Sequence, residues 1–209
     1  RLSLVGSEMC IRDSMHTEFS IKDGMLNPKK VVHKAIASGM KALAITDATA
    51  MFGDVIFYKA ASAAGIKPIL GADCSITNHY NRDDYLRLLF LARNHQGYLT
   101  LCDLLSRAWL TNQYKDRGEV DLDWITPEMA DGLIVLSGFN TGAIGKAILN
   151  GSLSAAEQEA RRLSQKFPHF FMELQRVGRP NDEMLVAESV KLAKKLGLPV
   201  VATQPIQFE

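Results

Sequence analysis

The chain predicts an α/β fold, and three observations predict it. Apolar runs of strand length recur along it: Ala42–Thr46, Leu88–Ala92, Gly132–Ser137 and Leu198–Thr203. Runs that are apolar on both faces suit buried parallel strands covered by helices. Segments of helical period stand between them, several opened by a capping residue and closed by glycine. Alternation of this kind closes into a barrel or stays open as a doubly wound sheet, and periodicity does not choose between the two.

The elements follow in order. Asn27-Pro28 starts a helix, with Asn as cap and Pro at the first helical position. Val31, Val32, Ala35 and Ile36 line one face and Gly39 closes it. After the strand at 42–46, Asp54 opens a helix through Ile56, Phe57, Ala60 and Ala61 that ends at Gly65. Residues 66–76 read as a strand interrupted at Gly71, and Asn78–Asp84 as a polar turn before the strand at 86–92. Leu101, Leu104, Leu105 and Ala108 give helical spacing over 97–110. Residues 112–131 are polar and irregular, with Trp124-Ile125 as an anchor. The strand at 132–137 leads to a short helix over 143–149, a longer one over 154–167 and a strand at 170–174. Pro180 and the acids Asp182 and Glu183 open the last helix, which Lys194, Lys195 and Gly197 close.

Composition narrows the function classes. A chain of 209 residues, 47% of them hydrophobic, suits one domain with a sizeable core. Net charge is +1, and the basic pairs Lys29-Lys30, Arg161-Arg162 and Lys194-Lys195 read as solvated helix faces. No basic stripe of the kind that autonomous DNA binding requires is present. Three cysteines without CxxC spacing point to a reducing, cytoplasmic setting and away from disulfides or structural zinc. No apolar run reaches membrane-spanning length.

Residues Arg1–Ser14 fit none of this patterning, and they carry no signal-peptide h-region or cleavage site. The string RLSLVGSEMCIRDS resembles translated sequencing-adapter read-through in assembled metagenomic genes. On that reading 1–14 is a foreign or disordered segment, the domain runs from 15 to 209, and the strand expected just ahead of His16 is overwritten.

In parallel α/β folds the chemistry gathers past the carboxyl ends of the strands. Those positions read Asp47-Ala48, Arg93-Asn94, Gly138-Phe139 and Gln204–Gln207, a poor set for a hydrolytic metal centre. His33, His79, His95 and His169 show no ligand spacing. Gly142–Ala147 hints at a phosphate loop but has Asn140 at the leading glycine position and Ala147 where Ser or Thr is required.

Three stretches, taken in order, identify a family. They are His16–Gly24; Gly39–Asp47 with Gly65–Asp73; and Glu173–Pro180 with Leu198–Thr203. Together they resemble the PHP (polymerase and histidinol phosphatase) domain that opens bacterial replicative DNA polymerase III alpha subunits, from about His16 to the end of the chain. The resemblance implies a distorted parallel β/α barrel of about seven strands. Active PHP domains hold several metal ions on His, Asp, Glu and Cys at the strand ends, and a metal-bound hydroxide attacks a phosphoester.

Matched residue by residue, this chain keeps His16 and Asp23, has Asp73 for a Glu, and holds Asp47 in reserve. Ser14, Ala48, Arg87, Phe139, Gln204, Pro205 and Gln207 stand where donors are expected. The implied metal site is therefore decayed: no catalytic or cofactor-binding residue is intact, and His16, Asp23, Asp73 and Asp47 are its remnants. By the same resemblance the parent is a DNA-directed DNA polymerase, a nucleotidyltransferase of DNA replication working with Mg²⁺ in a palm beyond residue 209. The domain would support the polymerase core and dock the proofreading exonuclease subunit among other replicase subunits. It would meet DNA only through the parent, with no membrane partner and no cofactor of its own. The alternative is an active phosphoesterase or 3′–5′ exonuclease using Zn²⁺ or Mn²⁺, and the ligand count favours the scaffold.

Overall fold

The computed structural model describes residues 14–20 and 24–206. Its elements in chain order are β1 (Ser14–Met15), α1 (Pro28–Ala37), β2 (Ala42–Ala48), α2 (Asp54–Ala63), β3 (Lys67–Ile76), β4 (Leu86–Ala92), α3 (His95–Thr111), β5 (Gln113–Tyr114), β6 (Arg117–Gly118), α4 (Pro127–Asp131), β7 (Leu133–Leu136), α5 (Ala143–Leu149), α6 (Leu153–Lys166), β8 (Phe170–Gln175), α7 (Asp182–Leu196), β9 (Val200–Thr203) and β10 (Pro205–Ile206). Six strands pair in the order β2-β3-β4-β7-β8-β9, and β1 pairs with β10 in a parallel ladder of its own. Met15 N–H donates to Thr46 Oγ1 at 2.9 Å, so that ladder leans on β2 and carries the ring of strands back from β9 toward its start. The result is a curled half-barrel with helices outside, the distorted α/β barrel implied by the resemblance. The strand ahead of His16 is present as β1; the remainder of the 1–14 segment lies outside the described residues.

One strand departs from the all-parallel expectation. β4 runs antiparallel to both β3 and β7, whereas β2–β3, β7–β8 and β8–β9 are parallel. The connection over 77–85 is too short for a crossover helix, and a chain that cannot cross over must return beside the strand it left. Two corrections follow. Arg93-Asn94 lies at the end of the barrel away from the other strands' carboxyl ends, where Asn94 caps α3 by accepting from Gly97 N–H at 2.9 Å. The start of β4, with Arg87, comes to the mouth instead. Gly71 does not interrupt β3; a Cβ there would stand 2.4 Å from the carbonyl oxygen of Phe90, so glycine lets β4 approach closely.

The caps follow the sequence. Asn27 Oδ1 accepts from Lys29 and Lys30 N–H, and Gly39 and Gly197 end α1 and α7 with φ of 71° and 67°. Within 112–131 the sequence reading missed a small hairpin, β5–β6, and the turn of 3₁₀ helix at Leu122–Trp124.

Side-chain alternation sorts the core. Leu88 and Phe90 of β4, Ala72 and Cys74 of β3, and Phe170 and Met172 of β8 pack outward under α3, α5, α6 and α7. Leu43 and Ile45 of β2 pack outward against α1 and α2 with Phe57 and Ala61. Ala44, Leu89, Leu91 and Leu136 pack inward with Phe171 and Val201. Parity then places Asp73, Arg87, Glu173 and Thr203 on the interior face and Asp47 on the outer one.

Candidate functional site

The mouth is built from the ends of β2, β3, β7, β8 and β9 and the start of β4. Asp73 is nearly fully buried and both its oxygens are taken: His16 Nε2 stands 3.1 Å from Oδ2, and Arg87 Nε donates to Oδ1. Burial works to raise the Asp73 carboxyl, but the Arg87 charge and the His16 hydrogen bond outweigh it and hold it below the usual carboxylate range. Burial likewise works against the Arg87 guanidinium, yet the charges of Asp73 and Glu173 hold it protonated beyond its ordinary value.

Glu173, on β8, is buried and both its oxygens are engaged. Its Oε2 accepts from Gly138 N–H at 3.0 Å, and its Oε1 accepts from Thr203 Oγ1 at 2.6 Å and Gln175 Nε2 at 2.8 Å. Gly138 reaches this position in a left-handed conformation, φ 77°, where an added Cβ would stand 2.3 Å from the Arg87 carbonyl oxygen. Tyr85 completes the floor, its hydroxyl pushed up to about 12, chiefly by burial. A cavity of about 350 Å³ opens above, bordered by His16, Ser20, Phe52, Asp73, Tyr85 and Arg117.

The remnant positions separate. His16 and Asp73 meet. Asp47, on the outer parity of β2, ties down the loop after His16: it accepts from Thr17 N–H at 2.6 Å, from Thr17 Oγ1 at 2.8 Å and from Ser20 Oγ at 2.7 Å. Asp23 and Gln207 lie outside the described residues. Ala48 donates its N–H to Ser20 Oγ at 2.9 Å, Phe139 is buried in the outer core, and Pro205 pairs with Ser14. Among the described residues no three His, Cys, Asp or Glu donors converge at the mouth; the one convergent group is His79, Asp121 and Asp123, elsewhere on the surface. The sequence reading missed Glu173. A lone Glu in the apolar strand Phe170–Leu174 was the available signal, because a carboxylate in a buried strand must find donors.

Beside the mouth lies an unusual acid. Asp54, the first residue of α2, is 1% exposed, and among the described residues neither carboxylate oxygen has a hydrogen-bond partner. Burial, with the nearby charge of Asp47 adding to it, pushes its carboxyl up to about 8.

Comparison with known proteins places this geometry. The PHP domain profile matches residues 14–177. The chain belongs to the PHP domain family. It is 46% identical over 200 residues to the DNA polymerase III subunit alpha of Neisseria meningitidis serogroup B, and 40% identical over 195 residues to that of Escherichia coli K12. Each match covers 93% of this chain and 17% of the relative, so the chain spans about a sixth of the length of these relatives. Among solved structures it resembles an amidohydrolase from Chromobacterium violaceum, with TM-score 0.65, 14% identity, and coverage of 94% of this chain and 87% of that one. It also resembles a Bifidobacterium adolescentis protein described as a metal-dependent phosphoesterase, with TM-score 0.64, 12% identity, and coverage of 95% and 87%. At such identities the likeness establishes the fold alone. No helix among the described residues is long and apolar enough to cross a membrane.

Proposed function

We propose that this chain is the PHP domain of a DNA polymerase III alpha subunit and that it serves there as a catalytically silent scaffold. The observation that carries the reading is the Arg87–Asp73 pair. A fixed guanidinium occupies the place where a metal centre would need empty carboxylate lone pairs, and Glu173 has spent its own on Gly138, Thr203 and Gln175. Donors of this kind do not fit a multi-ion PHP cluster, which requires several ligands converging on each ion. No hydrolytic step is therefore assigned to the mouth, whether with Zn²⁺ or Mn²⁺.

The parent protein is, on this reading, a cytoplasmic DNA-directed DNA polymerase whose Mg²⁺-dependent nucleotidyl transfer resides in segments that this chain does not include. The domain packs against that polymerase core and offers a surface to the proofreading exonuclease subunit. It touches DNA only through the parent.

The test is turnover. The purified chain, supplied with Mn²⁺ or Zn²⁺, is expected to hydrolyse neither p-nitrophenyl phosphate esters nor a 3′-labelled oligonucleotide. Metal-dependent turnover that disappears in Asp73→Asn would overturn the scaffold reading and restore the phosphoesterase or 3′–5′ exonuclease alternative.

A further inference from the structure

A second cluster of chemistry lies outside the mouth. His79 sits in the connection between β3 and β4, and Asp121 and Asp123 sit at the start of the 3₁₀ turn after β6. One donor atom from each, an imidazole nitrogen and two carboxylate oxygens, all lie within 4.8 Å of one another. His79 Nε2 is 3.3 Å from Asp121 Oδ2. Around a tetrahedral ion with bonds of about 2.0–2.1 Å, neighbouring ligand atoms stand roughly 3.3–3.4 Å apart. The His79–Asp121 pair already spans one edge of such a tetrahedron, and Asp123 is exposed and able to rotate onto it.

The backbone beneath these side chains is fixed by bonds that do not involve them. Thr77 N–H donates to the Val120 carbonyl at 3.0 Å and Val120 N–H to the Ser75 carbonyl at 2.8 Å, locking the two ligand-bearing segments together. Asn78 Oδ1 accepts from Tyr80 and Asn81 N–H and shapes the turn that presents His79. Asp121 Oδ1 is used to cap the 3₁₀ turn through Asp123 N–H at 3.0 Å, which leaves Oδ2 toward the imidazole. The three residues border a cleft of about 80 Å³ whose other charged members are already paired, Arg162 with Glu159 at 2.7 Å and Arg87 with Asp73. Arg162 also feels the charge of Asp123, so an incoming ion shares that carboxylate with a guanidinium that Glu159 partly offsets.

We propose that this cleft binds one divalent transition-metal ion of the Zn²⁺ class, held by His79, Asp121 and Asp123 and completed by water. An imidazole with two carboxylates is a donor set for Zn²⁺ and its neighbours in preference to Mg²⁺, which takes oxygen ligands and keeps its waters. Sequence spacing does not reveal the site, because the Ser75–Val120 and Thr77–Val120 bonds bring its two segments together from distant parts of the chain.

The experiment is calorimetric titration of the tag-free, metal-stripped 209-residue chain with Zn²⁺ and, separately, Mg²⁺, together with the absorption spectrum of the Co²⁺-loaded protein. The expected result is one Zn²⁺ per chain, preferred over Mg²⁺, and a Co²⁺ spectrum without a thiolate charge-transfer band. Loss of an outer-shell partner alone costs about 10–100-fold in metal affinity, so losing a ligand in His79→Ala or Asp123→Asn should weaken Zn²⁺ binding by at least about tenfold. Both side chains are exposed, and unchanged thermal melts of the variants establish that the fold survives. Absence of binding, wild-type affinity in His79→Ala, a thiolate band, or binding lost in Asp73→Asn and retained in both site variants would each overturn the proposal. The last outcome would place the ion at the mouth and bear on the scaffold reading instead.

Discussion

Asp54 allows a quantitative test of how the fold treats an unpartnered buried acid. In the native state its carboxyl stays protonated up to about pH 8, because burial and Asp47 both penalise its charge. In the unfolded chain it ionises near the ordinary aspartate value of 3.8. Between those values the native state holds a proton that the unfolded state has released, so stability falls as pH rises, by about 1.4 kcal/mol per pH unit. From pH 5 to pH 7 the loss is about 2.7 kcal/mol, a large share of the roughly 5–15 kcal/mol that holds a domain together. Asp54→Asn keeps the shape and removes the titration. Urea denaturation of both proteins across pH 5 to 8 should show the Asn variant gaining on the wild type by that slope, since every other group titrates alike in the two. A stability difference that stays flat with pH would refute the reasoning, and would mean that Asp54 finds a donor or water in solution.

Two further outcomes rest on the mouth and the packing. Arg87→Met leaves Asp73 and Glu173 buried without their cation and should cost about 3–5 kcal/mol in urea denaturation at pH 7. Because the folded Asp73 carboxyl is depressed, the stability that it contributes is present above its unfolded value near 4 and is lost as pH falls through the folded one; Asp73→Asn should therefore flatten the acid limb of the stability profile below pH 4, and an unchanged limb would contradict the pairing.

Much of the scaffold was legible from local chemistry. Asn27-Pro28 marks the start of α1 because the capping oxygen and the missing proline N–H both answer the open end of a helix. The direction of β4 was not legible from its pattern, because an apolar run reads the same travelling up or down. The information lay in the short connection over 77–85, and missing it put Arg93-Asn94 at the wrong end of the barrel. The site was legible by residue type and illegible by parity. Asp47 on β2 and Asp73 on β3 stand one position apart in register on neighbouring strands, yet one faces out to hold Thr17 and Ser20 and the other faces in to meet His16 and Arg87. Asp54 reads naturally as an acid at a helix start; its burial depends on how α2 and its neighbours close over it, which no local pattern records.

The reversed strand that brings Arg87 to the mouth also bears on how this barrel could change its chemistry. An imidazole at Ala48, in register with Asp73, would stand beside a carboxylate that Arg87 already holds. Removing Arg87 strands two interior acids, Asp73 and Glu173, without their cation. A single arginine thus ties the charge balance of the barrel interior to the direction of one strand.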